Sequence, residues 1–174
     1  MTVIWQPTLP ADAQRWQTLA DDLGSSHCAP LAAELDREQR YPWETIAKLV
    51  EHKFTGLFLP QQWGGEGASL TATVAAVETL GAHCASTAAI MCAYQLGAFP
   101  LLLAGTDEQK DFYLREMAQG RATSFALSER IAGSDAAAIE ATAVREGDGW
   151  RLKGEKYWIG NGGASRYYVA FAKT

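Results

Sequence analysis

The chain has 174 residues, of which 48% are hydrophobic and 20% charged, and its formal net charge is -5. This composition excludes intrinsic disorder and collagen-like repeats, and the length suffices for a hydrophobic core without disulfides or metal. The acidic balance also argues against nucleic-acid binding, because neutralising phosphates needs a basic face.

Cysteine usage and the N-terminal residues favour a cytoplasmic protein. The three cysteines, Cys28, Cys84 and Cys92, form an odd set without framework spacing, which is typical of a reducing compartment. Arg15 is the one Lys or Arg among the first 30 residues, which fits neither a secretory signal nor a transit peptide. The most apolar stretch, 88–105, is interrupted by polar and helix-breaking residues, so we expect a buried helix rather than a membrane span.

Apolar residues recur at helical spacing from the start of the chain. Trp16, Leu19, Ala20 and Leu23 form one stripe, which predicts a first helix that Gly24 ends.

Two further helices follow this first one. Leu31 and Leu35 mark the second, and Pro42 sits where a third can start, because proline tolerates the first helical turn. The third helix is expected to bury Ile46, Leu49 and Val50.

Capping residues predict three more helices. Ser69 and Ser86 are expected to cap the fourth and fifth, and the fifth is apolar nearly all round, which places it in the middle of a helical domain. Thr106 and Gln109 form a capping box for the sixth helix, which Gly120 ends.

Beyond Thr123 the hydrophobic period shifts toward two. Strands are expected over 141–146 and 150–157, on either side of the turn at Gly147-Asp148-Gly149, and the alternation over 167–172 predicts another strand.

The predicted fold class is therefore α+β. An all-α helical domain over residues 1–120 is followed by a partial antiparallel β domain over 121–174.

Neither a metal site nor a nucleophile is predicted. The three histidines share no paired spacing, there is no Cys-x-x-Cys, and no Gly-x-Ser-x-Gly elbow occurs.

Two segments have the composition of a ligand site. In Phe125–Asp135 a strand leads into a small-residue loop carrying Ser128 and Ser134, which permits close approach to a planar or phosphorylated ligand. A polar strand-to-loop connection explains the same pattern equally well. In the second segment, 154–163, Trp158 lies among four glycines and has the right character to stack on an aromatic cofactor, although a core tryptophan before a hairpin turn is favoured by pattern alone.

Several ordered motifs together resemble the acyl-CoA dehydrogenase family of flavoproteins. The resemblance covers Ala29 to Thr174. It rests on Leu59–Gly67, Phe125–Asp135, Thr142-Ala143, Lys153–Lys156, Trp158-Ile159, Asn161–Gly163 and Val169–Thr174.

The resemblance implies an N-terminal all-α domain and a middle β domain that covers the flavin of FAD. It implies substrate binding along the thioester arm of an acyl-CoA or acyl-carrier-protein by Gly133 and Ser134. The implied reaction is α,β-dehydrogenation with hydride transfer to flavin N5, in which positioning and electrostatics dominate. The implied cofactor-binding residues are Phe125, Ala126, Leu127, Ser128, Trp158, Ile159 and Gly160.

Three departures from the family pattern stand out. Gly160 replaces a threonine or serine whose hydroxyl reaches the flavin edge, and Arg130-Ile131 replaces a proline-glycine pair. The family's C-terminal helical domain, which carries the catalytic glutamate and much of the FAD and oligomer contact, is not in the sequence. The catalytic base is therefore unassigned, and we expect this chain alone to hold FAD weakly and to lack dehydrogenase activity.

Two other functions remain open from the sequence. The same motifs occur in flavin monooxygenases and nitroalkane-oxidase-like enzymes of the superfamily. A truncated or partner-binding module without turnover would also keep the fold. The expected partners are a second copy of the chain in a homo-oligomer, or a partner chain that supplies the C-terminal domain.

Overall fold

A computed structural model describes residues 8–174. Six α-helices come first: α1 (Ala11–Leu23), α2 (Ala29–Glu38), α3 (Trp43–Glu51), α4 (Leu70–His83), α5 (Ala85–Ala104) and α6 (Asp107–Ala118). Four strands follow: β1 (Thr123–Ala126), β2 (Thr142–Glu146), β3 (Gly149–Lys153) and β4 (Tyr167–Ala170). The order of helices and then strands confirms the predicted α+β class.

The first predicted helix stop is wrong. Gly24 has helical backbone angles (φ -60°, ψ -51°), and a π-helical turn over Gly24–Cys28 carries the chain from α1 directly into α2. The glycine is needed for close approach, because a Cβ on it would lie 2.2 Å from the His83 ring at the end of α4. The predicted stripe itself is confirmed, since Trp16, Ala20 and Leu23 are buried.

Two of the three predicted helix caps are present in the structure, and the third is not. The Ser69 Oγ accepts the amide of Ala72 at 3.1 Å, and both bonds of the Thr106–Gln109 capping box are present. Ser86 does not cap α5, because Cys84 is the extended residue between α4 and α5 and the helix already begins at Ala85.

The apolar helix α5 packs on α4, α6 and β1. Its buried side includes Met91, Tyr94 and Ala98, but Leu96 and Leu103 are exposed, so the prediction that α5 is surrounded is only partly right. By length and composition α5 would suffice to cross a membrane. A core helix meets the same criteria, and the contacts made by one side of α5 favour that interpretation.

The core lies among the helices. Its larger cluster joins α1, α3, α4 and α5 through buried residues such as Trp16, Leu49, Phe54 and Leu80. A smaller cluster under α6 contains Leu59, Leu114 and Met117. Cys28 and Cys84 are buried free thiols, whereas Cys92 is exposed.

The strands form two pairs. β2 and β3 make the predicted antiparallel hairpin, with Val144 opposite Arg151. β1 and β4 pair in parallel, with Thr123 opposite Tyr167, so the wholly antiparallel prediction is wrong for this pair. The long connection that contains the hairpin returns the chain to the same end of β1, which makes the pair parallel.

Candidate functional site

The two segments singled out in the sequence lie side by side. The Tyr157 amide donates to the Ser128 carbonyl at 2.9 Å, so the chain leaving β1 runs beside the chain approaching Trp158. The buried Ser124 hydroxyl donates to the Gly160 carbonyl at 2.8 Å and lies 2.8 Å from the Ser165 hydroxyl. β1 therefore holds the loop that carries Trp158, Ile159 and Gly160.

The predicted flavin-contacting residues at the end of β1 and just after it differ in exposure. Ala126 is buried, while Phe125, Leu127 and Ser128 are partly buried. The Phe125 ring lies 4.8 Å from that of Phe171 beyond β4.

An ion pair between the partly buried Lys156 and the buried Glu129 fixes the junction between the two segments. The Lys156 Nζ lies 2.6 Å from the Glu129 Oε1 and 3.0 Å from the Leu127 carbonyl. The Glu129 carboxylate also accepts the amides of Glu140 (2.5 Å) and Ala141 (3.0 Å). Hydrogen bonding from Lys156, followed by that from the Glu140 amide, lowers the pKa of Glu129 to about 2. The carboxylate is thus ionised and fully hydrogen-bonded at neutral pH.

Sequence reasoning did not assign this pair a role. Glu129 and Lys156 both stood in the quoted motifs, and the signal was an acid and a base at the ends of two strand-like segments. Their partnership depends on a long-range fold that periodicity does not specify.

Arg130 and Ile131 form the tip of a tight turn. Glu129 and Ala132 exchange two backbone hydrogen bonds of 2.9 and 3.2 Å across it. Neither tip residue has a positive φ, so the turn accommodates an arginine and a β-branched side chain where the family pattern has proline and glycine. Both side chains are exposed, and an open cleft of about 500 Å³ runs beside them.

Trp158 is the most exposed large apolar residue among those described. Its relative exposure is 93%, and its φ of 59° lies in the left-handed region. Both features are unfavourable for a bulky side chain unless they serve another purpose. The sequence alternative of a core tryptophan is therefore wrong.

The neighbouring loop residues lie close to α5. Ile159 is partly buried, and a Cβ on Gly160 would lie 3.1 Å from the Ala93 Cβ. The Asn161 Nδ2 donates to the Ile90 carbonyl at 3.3 Å, which ties the loop to the same helix. The space for a side chain at position 160 is therefore tight but not closed.

Unpaired backbone donors lie next to this loop. Within residues 8–174, the amides of Leu127 and Ser128 have no hydrogen-bond acceptor. Unpaired amides beside an exposed indole form a surface that can both stack on a planar ring and donate to its polar atoms.

Gly133 and Ser134 lie apart from this surface. Both are exposed in the loop after the turn, and a Cβ on Gly133 would meet nothing within 4 Å. In the described part of the chain, the structure does not join them by hydrogen bonds to Trp158, Ile159 or Gly160. Nor does that part of the chain bring three or more His, Cys, Asp or Glu side chains together as metal ligands.

Comparison with family models identifies the chain. Residues 10–121 match the model described as acyl-CoA dehydrogenase, N-terminal domain, and residues 124–174 match acyl-CoA dehydrogenase, middle domain. The chain belongs to the acyl-CoA dehydrogenase family.

Curated relatives agree with this assignment. The chain is 38% identical over 165 residues to a 3-sulfinopropanoyl-CoA desulfinase of Paraburkholderia xenovorans, covering 94% of this chain and 42% of the relative. It is 38% identical over 167 residues to a probable acyl-CoA dehydrogenase of Mycobacterium tuberculosis, covering 95% and 43%. The chain therefore spans less than half the length of these relatives.

Solved structures share the fold. Butyryl-CoA dehydrogenase from Megasphaera elsdenii superposes with a TM-score of 0.88 at 32% identity, covering 97% of this chain and 45% of the other. Glutaryl-CoA dehydrogenase from Mycobacterium smegmatis gives 0.88 at 30% identity, covering 95% and 43%.

Proposed function

We propose that the chain is the flavin-facing part of an FAD-dependent oxidoreductase that removes hydrogens from the α and β carbons of an acyl thioester. The observation that carries the proposal is the exposed indole of Trp158 beside the unpaired amides of Leu127 and Ser128. Membership in the acyl-CoA dehydrogenase family supports it.

The described residues fit a flavin. An isoalloxazine ring needs an apolar face to stack on and donors for its carbonyl oxygens and ring nitrogens. Trp158 offers the face, and the amides and the Ser128 hydroxyl offer donors. Gly160 adds no hydroxyl, so the donors come from the β1 side of the site.

Each residue then has a defined task. Phe125, Ala126, Leu127 and Ser128 line one edge of the ring, and the Glu129–Lys156 pair keeps this edge in register with the Trp158 loop. Gly133 and Ser134 lie along the thioester arm. FAD, when bound, would supply the acceptor for the hydride of the β carbon, and the base that removes the α proton is not assigned to any residue of this chain.

We propose further properties for the whole protein. We place the boundary between the helical and β domains at residues 120 and 121. The substrate is an acyl-CoA or acyl-carrier-protein thioester of fatty-acid metabolism, the compartment is the cytoplasm, and the assembly is an oligomer. In the family, much of the FAD contact and the catalytic glutamate belong to the C-terminal helical domain. The 174-residue chain therefore binds FAD weakly and does not turn over substrate.

Titration of FAD into the purified chain tests the proposal. Stacking on Trp158 quenches flavin fluorescence, so we expect weak, saturable quenching that Trp158→Ala weakens at least tenfold. Trp150→Ala is the matched control, because Trp150 is an exposed tryptophan of the β2–β3 hairpin (54%). Absence of binding at millimolar FAD, or equal binding by Trp158→Ala, would contradict the proposal.

One relative favours a second candidate reaction. The desulfinase of Paraburkholderia xenovorans is as similar to this chain as the mycobacterial dehydrogenase is, at 38% identity. We therefore include carbon–sulfur cleavage of a sulfinated acyl-CoA as the alternative reaction. Assay of the full-length protein for sulfite release and for flavin reduction separates the two.

A further inference from the structure

A second cleft lies away from the flavin-facing residues. It has a volume of about 460 Å³ and is bounded by α3, the segment that joins α6 to β1, and the residues that precede β4. None of its lining residues belongs to the proposed flavin or thioester site. They are Trp43, Ile46, Ala47, Val50, Tyr94, Gln119, Gly120, Arg121, Ala122, Ala164 and Arg166.

The cleft is positively charged in an acidic protein. Arg121 and Arg166 line it, and no carboxylate does, although the chain has a net charge of -5. The Arg121 Nε lies 3.8 Å from the Glu116 Oε2, which also accepts the Tyr167 hydroxyl at 3.1 Å, and about half of the Arg121 side chain is exposed. Among residues 8–174, Arg166 makes no ion pair with a carboxylate, and its guanidinium carbon lies 5.7 Å from the centroid of the Tyr167 ring.

The backbone around both arginines is fixed. The Arg166 amide donates to the Ala122 carbonyl at 3.0 Å, next to Arg121, at the point where β1 and β4 begin to pair. Tyr94 is buried and donates its hydroxyl to the Gly120 carbonyl at 3.1 Å, which anchors the segment before Arg121 to α5. The backbone that carries both arginines is therefore held in place.

An exposed aromatic side chain completes the cleft. Trp43, the first residue of α3, is 60% exposed, and its ring lies 4.5 Å from that of Tyr41. An indole held by a neighbouring ring offers a flat apolar face to a ligand at low entropic cost.

We propose that this cleft binds a planar ligand that carries a phosphate, such as a nucleotide. An arginine guanidinium can donate two parallel hydrogen bonds to a phosphate, and two arginines in a cleft that no carboxylate lines favour an anion. Trp43 stacks on the planar ring, as tryptophan does with nucleobases. The volume lies in the range of small-molecule sites.

Isothermal titration of the 174-residue chain with AMP tests the proposal. We expect saturable binding that weakens with added salt and falls at least tenfold in the Arg121→Gln/Arg166→Gln double variant. The control variant, Arg37→Gln/Arg145→Gln, makes the same change in net charge at exposed arginines outside the cleft and should bind as the parent does. Trp158→Ala should also bind normally, which separates this cleft from the flavin-facing surface.

Comparison of ligands tests the two halves of the site separately. Adenosine should bind much more weakly than AMP because it lacks the phosphate, and inorganic phosphate should bind more weakly because it lacks the ring. Circular dichroism establishes that each variant is folded. No AMP binding at millimolar concentration, equal binding by the double variant, or equal binding of adenosine and AMP would each overturn the proposal.

Discussion

The helical and β regions are stabilised in different ways. Between α1 and α6 the large side chains interlock, and Phe54, Leu57, Leu80 and Met91 are at most 2% exposed. In the β2–β3 hairpin, by contrast, every residue except the partly buried Ala143 is exposed. Apolar burial, the main driving force of folding, is therefore concentrated in the helices.

The β region is instead connected by polar contacts. The Glu129–Lys156 pair and the Ser124 hydroxyl link its segments, and both lie next to the flavin-facing residues. The apolar side chains of the hairpin, Leu152 among them, remain in solvent. The difference suggests that the helices form the stable scaffold, while the β region presents surfaces for a cofactor and for other parts of the protein.

The largest expected effect follows from the helical core. Leu57→Ala should lower the free energy of unfolding by about 2–5 kcal/mol, because it removes buried methyl groups and leaves a cavity. Leu152→Ala, at a 60% exposed position of β3, should change it by about 0.5 kcal/mol or less. Urea denaturation followed by circular dichroism measures both values. Similar losses in the two variants would contradict the comparison.

The Glu129 carboxylate gives the β region an acid sensitivity. Its pKa is lowered to about 2 in the folded chain, so its stabilisation is present above its ordinary value near 4.5 and is lost as pH falls toward 2. Glu129→Gln should therefore be less stable than the parent at pH 7, and the difference should shrink between about pH 4.5 and 2. Urea midpoints across this range provide the measurement. A difference that is independent of pH would show that the carboxylate charge is not the cause.

A smaller effect distinguishes two serines at the helix starts. Ser69→Ala should cost about 1 kcal/mol, since it removes the acceptor of the Ala72 amide. Ser86→Ala should cost close to nothing, because Ser86 is an exposed residue inside α5. The same denaturation experiment compares the free energies of unfolding of the two variants. An equal loss in Ser86→Ala and Ser69→Ala would contradict the structure and support Ser86 as the cap of α5.

The sequence predicted those features that depend only on residues close together in the chain. The capping box at Thr106 needs only residues three apart, and the β2–β3 hairpin needs only its glycine turn. The predicted helix stop at Gly24 was wrong, because this glycine makes room for His83, nearly 60 residues away, whose ring lies where a side chain at position 24 would be. The parallel pairing of β1 with β4 could not be predicted either, because alternation of apolar residues predicts a strand but not the direction of its partner.

The candidate site shows the same division. Family motifs located Trp158 and the segment after β1, and they included Glu129 and Lys156 without indicating that the two form an ion pair. The exposure of Trp158 and the unpaired amides beside it depend on how two distant segments meet, and periodicity carries no information on that meeting.

Hydrogen exchange with and without FAD tests the central claim most directly. That claim is that 125–128 and 158–160 form one flavin-facing surface on a stable helical scaffold. At saturating FAD we expect slower exchange of the amides in both segments, with the β2–β3 hairpin unchanged and the buried helices already protected without the ligand. Unchanged exchange in the two segments at saturating FAD would contradict the claim.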